Sequence, residues 1–435
     1  MPKAFRPYQP DQRLLLPPGL DDLLPEGDLA YFIRDTVADL DLSAILGEYR
    51  EERGQPPFHP RMMTALLLYA NCRGVYSSRR IAQACERDLG FIVVAAMARP
   101  DFHTIARFRA RHLKALADLF LQVLRLCRKA GLVQLGHVAL DGTKIKANAS
   151  RHKAMSYERM AEREPELAAQ IKEWFAKAKT QDREEDRRHG RGRRGDELPA
   201  HLRTKQRRLK AIREAKAALE AEAAERATAD DGPGGGAVSV DPKAQRNFTD
   251  GDAKIMKDSA SGAFVAGYNA QLAVDAGSQV IVAKELTMRA TDVQELPAML
   301  AQVRRNVGRQ ARECSADAGY CSEANLADLA RRRIRAYVAV GKDRHGSAPG
   351  QSARAPAPGS RRAAMATRLR RGGWRSRYRM RKQTAEPVIG QIKQARGFRQ
   401  FLLRGREKVG GEWSLVCIAH NLLKLFGSQR MAMAS

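Results

Sequence analysis

The sequence predicts an α+β protein in two parts: an all-helical N-terminal domain over residues 1–130, and a mixed α/β sheet domain over 131–155 and 237–426, interrupted at 156–236 by a helical hairpin. Three observations predict it. Apolar residues recur three and four apart up to about residue 130, the period of amphipathic helices. From His137 the period shortens to alternation, as in half-buried strands. Between the first strand and the next, two long apolar stripes at helical spacing flank the charged run DREEDRRHGRGRRGDE.

In the N-terminal part, Met62, Leu66, Leu67 and Tyr69 fall at near-helical intervals, and Ser77 or Ser78 is placed to cap a helix carrying Arg79, Arg80 and Ile81. The segment Asp101 to Thr104 opens another, with Ile105, Phe108, Leu113, Leu116, Phe120 and Val123 on its apolar stripe and Arg107, Arg109 and Arg111 opposite. Two capped helices with basic faces suit DNA, although their link is too long for a tight helix-turn-helix and solvated arginines on an ordinary helical domain are the alternative. Then HVALD reads as a short strand ending at Asp141, and FVAGYNAQLAVDAGSQVIVAKEL as a hairpin turning at Asp275 to Ser278. A helix from Val293, a strand closing at SADAGY, a helix opened by Ser322 and the strand IRAYVAVG complete a mixed sheet. Within the insertion, Leu167, Ile171, Trp174 and Ala178 follow one stripe after Pro165, and Leu202, Leu209, Ile212 and Leu219 another; Gly232 to Gly236 form the return linker. The Pro/Gly/Ala/Ser-rich stretch 345–360 is expected to be a disordered loop.

Composition narrows the function. The chain has 435 residues with 77 Lys and Arg against 49 Asp and Glu, a net charge of +28, which calls for a polyanionic partner. It has no apolar run long enough to span a bilayer and no secretory leader at MPKAFRPYQPDQRLLLPPGLDD, so a cytoplasmic location is expected. Six scattered cysteines without a C-x-x-C pair argue against a zinc finger or a disulfide framework.

Phosphodiester chemistry needs divalent ions, and Mg²⁺ is held by carboxylates gathered from different elements. Asp141 and Asp317 each close a strand, where open α/β sheets place ligands, although an Asp before Gly also serves a turn. Glu386 precedes Pro387, and a proline in the first turn would start a helix at Thr384 and set Glu386 at its positive end; a structural ion pair is the alternative. Lys144 and Lys146 follow Asp141, and Lys393 lies two turns beyond Glu386. Arg361 to Lys382 holds ten Lys or Arg and no acid, with Trp374 and Tyr378 interleaved, a composition suited to a nucleic-acid backbone. Asp250, Asp252, Asp275 and Glu295 are reserve acids, and His420 sits in an apolar terminal helix as a packing residue.

DFHTIARFRARH, ALDGTKIKANAS, PKAQRNFTDGDAKIMK, GYNAQLAVD, SADAGYCSEANL and YRMRKQTAEPVIGQIKQARGFRQFLLRG, in that order, resemble transposases of bacterial insertion sequences over residues 10 to 426. They resemble the DDE group whose third acid lies in a tyrosine, arginine, glutamate, lysine signature. The resemblance implies an RNase H-like domain, Asp141, Asp317 and Glu386 as catalytic residues and ligands of two Mg²⁺ or Mn²⁺ ions, and Lys393, Arg381 and Tyr378 as DNA contacts. Four residues separate Arg381 from Glu386 where the family has three; counted from the glutamate, Lys382 and Arg379 take the arginine and tyrosine places. Lys144 and Arg107 are further DNA-binding candidates. Expected partners are the terminal inverted repeats and target DNA, with a homodimer forming on synapsis. A metal nuclease without strand transfer and a catalytically dead DNA-binding relic are the rival readings.

Overall fold

Among the described residues of the computed structural model (19–49, 56–189, 200–230, 240–258, 262–341 and 356–434), every regular element before residue 137 is helical. These are α1 (Leu29–Asp39), α2 (Ser43–Leu46), α3 (Pro60–Cys72), α4 (Ser78–Arg87), α5 (Leu89–Val94), α6 (Phe102–Arg111) and α7 (Leu113–Lys129). Side-chain caps fix several starts: Asp28 accepts from Ala30 N, Asp88 from Gly90 N and Asp101 from His103 N and Thr104 N. Ser77 holds the cap position of α4, but its hydroxyl accepts no capping bond. Helix α3 is buried nearly all round, as the central helix of a bundle must be. By compactness the chain divides into Met1–Val133 with Ser414–Ser435, and Gln134–Trp413. Residues 414–426, expected with the sheet domain, therefore group with the N-terminal helices. No described helix is long and apolar enough to cross a membrane.

In the second unit the strands are β1 (His137–Lys146), β2 (Ala154–Ser156), β3 (Gln245–Asn247), β4 (Lys254–Lys257), β5 (Phe264–Asp275), β6 (Ile281–Thr287), β7 (Glu313–Ala316) and β8 (Arg335–Val338). β1 pairs antiparallel with β5 and parallel with β7; β6 is antiparallel to β5, and β8 parallel to β7. The resulting run β6–β5–β1–β7–β8, three antiparallel strands extended by two parallel ones, is the RNase H-like arrangement. β1 does not stop at Asp141 but continues to Lys146, because β5 keeps pairing with it to Lys146↔Gly267. The turn residues expected at Asp275 to Ser278 do join β5 to β6.

The insertion comprises α8 (Tyr157–His189) and α9 (Ala200–Asp230), rooted on the small β2–β3 sheet. Helix α8 begins eight residues before Pro165, the expected start, because the returning chain satisfies its first amides: Tyr157 N donates to Ala244 O and Glu158 N to Pro242 O. Met160, Ile212, Ala215 and Leu219 form its core, with Leu167 packed against them. The Gly232 to Gly236 linker lies outside the described residues, as do residues 345–355 of the loop expected at 345–360.

The remaining helices are α10 (Glu295–Val307), α11 (Glu323–Arg331), α12 (Arg361–Gly372), α13 (Met380–Gly390) and α14 (Arg406–Ala434). Helix α13 corrects the expectation of a start at Thr384: it begins at Met380 and carries Pro387 in its interior. An interior proline strips the carbonyl four residues back of its donor. Here that carbonyl, Gln383 O, accepts from Gln279 Nε2 at 2.9 Å, so the proline is tolerated. Beyond Gly390 the helix widens into a π-helical turn, Gln391–Ala395, that carries Lys393.

Candidate active site

The register of β1 and β7 decides where the aspartates lie. The last parallel pair is Ala139↔Ser315, and Asp141 and Asp317 each stand two residues further along their strands. Adjacent strands are roughly 5 Å apart, so the two acids emerge side by side where β7 ends. Asp141 is only 7% exposed and takes Gly142 N on Oδ1 at 3.0 Å; Asp317 takes Gly319 N on Oδ1 at 2.9 Å.

Glu386 arrives from α13. Arg381, one turn earlier, donates to Asp141 Oδ2 at 3.0 Å and to Glu386 Oε1 at 2.8 Å, bridging the strand acid to the helix acid. Burial disfavours the Arg381 charge, but Asp141, Glu386 and Asp317 outweigh it and raise the guanidinium pKa. Burial above all, with the charges of Asp317 and Glu386, pushes the Asp141 carboxyl up to about 7 against the pull of Arg381. Asp317 is likewise raised by burial, then by Asp292, with Arg381 and Lys144 opposing.

Asp292, in the loop between β6 and α10, was not singled out in the sequence. An aspartate just before a helix reads as cap chemistry, and the nearby reserve Glu295 instead is buried and pairs with Arg289 at 3.4 Å. The only signal was its place after the hairpin, which carries no chemistry by itself. The other reserves are structural. Asp275 accepts Leu135 N and Gly277 N in the β5–β6 turn, and Asp252 accepts Arg406 N. Asp250 accepts the buried Tyr268 hydroxyl at 2.9 and 3.0 Å and Gly405 N at 3.2 Å. Asp250→Ala is expected to cost about 2–3 kcal/mol, since it leaves a fully buried phenol without an acceptor; a chemical melt showing no loss would contradict this.

The basic candidates separate by commitment. Lys144 pairs with Asp292 at 3.5 Å, and half-buried Lys393 donates to Lys144 O at 2.9 Å, with burial lowering its pKa. Tyr378 is buried, whereas Arg379 and Lys382 are exposed. The Trp374 side chain lies outside the described residues. On α6, Arg109 donates to Tyr76 O and Arg111 pairs with Glu48, while Arg107 is exposed and makes no ion pair among the described residues.

Among the described residues, no three Asp, Glu, His or Cys are disposed to hold one metal ion. Cations stand between the acids instead: Arg381 between Asp141 and Glu386, and Lys144 beside Asp292.

Residues 18–111 match the family model described as "Transposase domain (DUF772)", and residues 233–422 match that described as "Transposase DDE domain". No curated protein and no solved structure matches the chain.

Proposed function

The chain belongs to the insertion-sequence DDE transposases, and from that premise we propose that Asp141, Asp317 and Glu386 are its catalytic acids, cutting the phosphodiester at a transposon end and joining it to target DNA. The observation that carries this reading is the shared register position of Asp141 and Asp317, with Glu386 tied to Asp141 through one arginine.

The donor set fits divalent cations. All three groups are hard oxygen ligands, the charges of Asp317 and Glu386 add to burial in raising the Asp141 carboxyl, and a guanidinium already balances that charge. Asp141, Asp317 and Glu386 would hold two Mg²⁺ or Mn²⁺ ions once Arg381 turns away. Such ions, when bound, make a water or 3′-hydroxyl a competent nucleophile and neutralise charge on the leaving oxygen. The residues of the chain supply the rest. The Gly142 and Gly319 amides hold the two aspartates at fixed orientations. Arg381, whose Nε has no acceptor among the described residues, turns its planar fork to a phosphate of the incoming strand. Lys393 spends one proton on Lys144 O and keeps two for the same backbone. Arg381, Glu386 and Lys393 are our reading of the arginine, glutamate and lysine of the family signature, and the burial of Tyr378 favours a supporting role for the tyrosine.

Exposed Arg379 and Lys382, with Arg335, Arg368, Arg371, Arg375 and Arg377 around one cleft, offer the phosphate track. The N-terminal helices contribute through Arg107. Arg107→Ala is expected to weaken duplex binding several-fold and lower the salt slope by about one, read by fluorescence anisotropy against salt; an unchanged slope would take α6 off the DNA.

The reaction is in-line attack by water at the element end, then attack by the freed 3′-hydroxyl on target DNA, in a cytoplasmic complex of two copies synapsing two ends. Incubating the full chain with labelled inverted-repeat ends, Mg²⁺ and a supercoiled plasmid tests it. Joined products are expected. Cut ends without joining would leave a nuclease, and uncut, bound ends a relic.

A further inference from the structure

We propose that Asp292 is a fourth carboxylate of the active site, its Oδ2 supplying an oxygen ligand to a divalent cation shared with Asp317. The inference rests on the reading of Asp141, Asp317 and Glu386 as the catalytic acids.

One oxygen of Asp292 is fully engaged. Oδ1 accepts from Asn269 Nδ2 at 2.6 Å and Gln271 Nε2 at 2.7 Å, and lies 3.5 Å from Lys144 Nζ. Both amides are wholly buried on β5, so their bonds fix the carboxylate firmly. The other oxygen is uncommitted: Oδ2 accepts no hydrogen bond among the described residues. Its direction follows from the glycines. A Cβ on Gly142 would come within 3.0 Å of Asp292 Oδ1, and one on Gly319 within 3.1 Å of Asp292 Oδ2 and 3.0 Å of Asp317 Oδ1. Each glycine sits one or two residues after a catalytic aspartate, and each leaves the space that Asp292 and its neighbour fill.

Strand alternation places Asp292 opposite Arg381. Asn269 and Gln271 pair with Lys144 and Gly142, whose side of β1 is the reverse of Asp141's. Asp317, at the end of β7, interacts electrostatically with both sides, with Asp292 and with Arg381. One face therefore carries Asp141 and Glu386 around Arg381, the other carries Asp292 beside Lys144, and Asp317 belongs to both. Lys144 stands on the Asp292 side as the resident cation, as Arg381 does on the other.

Calorimetric titration of the full chain with Mn²⁺ alone, without DNA, tests the assignment. Asp292→Asn keeps an oxygen for the two amides and puts an NH₂ in place of Oδ2. It is expected to weaken Mn²⁺ binding at least tenfold, with circular dichroism and metal-free melting preserved. Asp292→Ser is read the same way should the asparagine variant fail to fold. Asp141→Asn and Asp317→Asn are titrated alongside. If those two lose Mn²⁺ while the Asp292 variants bind as the parent does, the fourth ligand is overturned and the triad stands. If all bind as the parent does, the triad reading falls and takes this one with it.

Discussion

Asp141→Asn, Asp317→Asn and Glu386→Gln are each expected to lower cleavage of a labelled element end by about a thousandfold or more. Metal-assisted stabilisation of phosphoryl transfer is worth several kcal/mol, and each 1.36 kcal/mol is tenfold in rate. The changes are isosteric, so circular dichroism and duplex binding should stay as in the parent; binding would tighten if anything, because each variant removes a negative charge beside the phosphate track. The three act as one unit, so Asp141→Asn combined with Asp317→Asn should be little worse than either alone. Glu386 makes the sharpest control. Its side chain is 45% exposed, against 9% for Asp141, so its replacement threatens the fold least. Cleavage retained in Glu386→Gln would move the third acid elsewhere.

The same substitution at Asp141 is expected to stabilise the metal-free chain in alkaline solution. Burial, with Asp317 and Glu386 nearby, raises this carboxyl from 3.8 to about 7 in the folded state. A folded-state pKa above the unfolded one means that the folded chain binds the proton more tightly. Stability from that proton is fully present below about 3.8 and is lost as pH rises through about 7. The full shift corresponds to roughly 4 kcal/mol, reduced in practice because Arg381 loses a partner when Asp141 is replaced. Asp141→Asn should therefore melt several degrees above the parent at pH 8 and close to it near pH 4. Saturating Mn²⁺ should close the alkaline gap by stabilising only the parent. Equal melting temperatures at pH 8 would show that the charge of Asp141 is already compensated.

Glu386 was found in the sequence for a reason the fold does not use. Pro387 predicts a helix that starts at Thr384 with the proline in its first turn, whereas Gln279, more than a hundred residues away, supplies the donor that lets α13 run through the proline. The alternating run HVALD predicts a strand that closes at Asp141, but strand length is set by the partner, and β5 carries β1 five residues further. Asp292 escaped notice because a loop aspartate beside a helix has an ordinary local use, and only the amides of β5 reveal another.

What the sequence determined by itself was local: periodicity placed the helices, the hairpin and the insertion, the excess of basic residues pointed to a polyanion, and the order of short motifs carried the family. Those features depend on neighbours within a turn or two of chain, which a sequence displays directly. Which charges meet was decided only by the tertiary structure. Arg381 reaches Asp141 across 240 residues and Lys144 reaches Asp292 across 148. Electrostatic coupling depends on distance in space and on burial, and neither is defined until strands from distant stretches have paired.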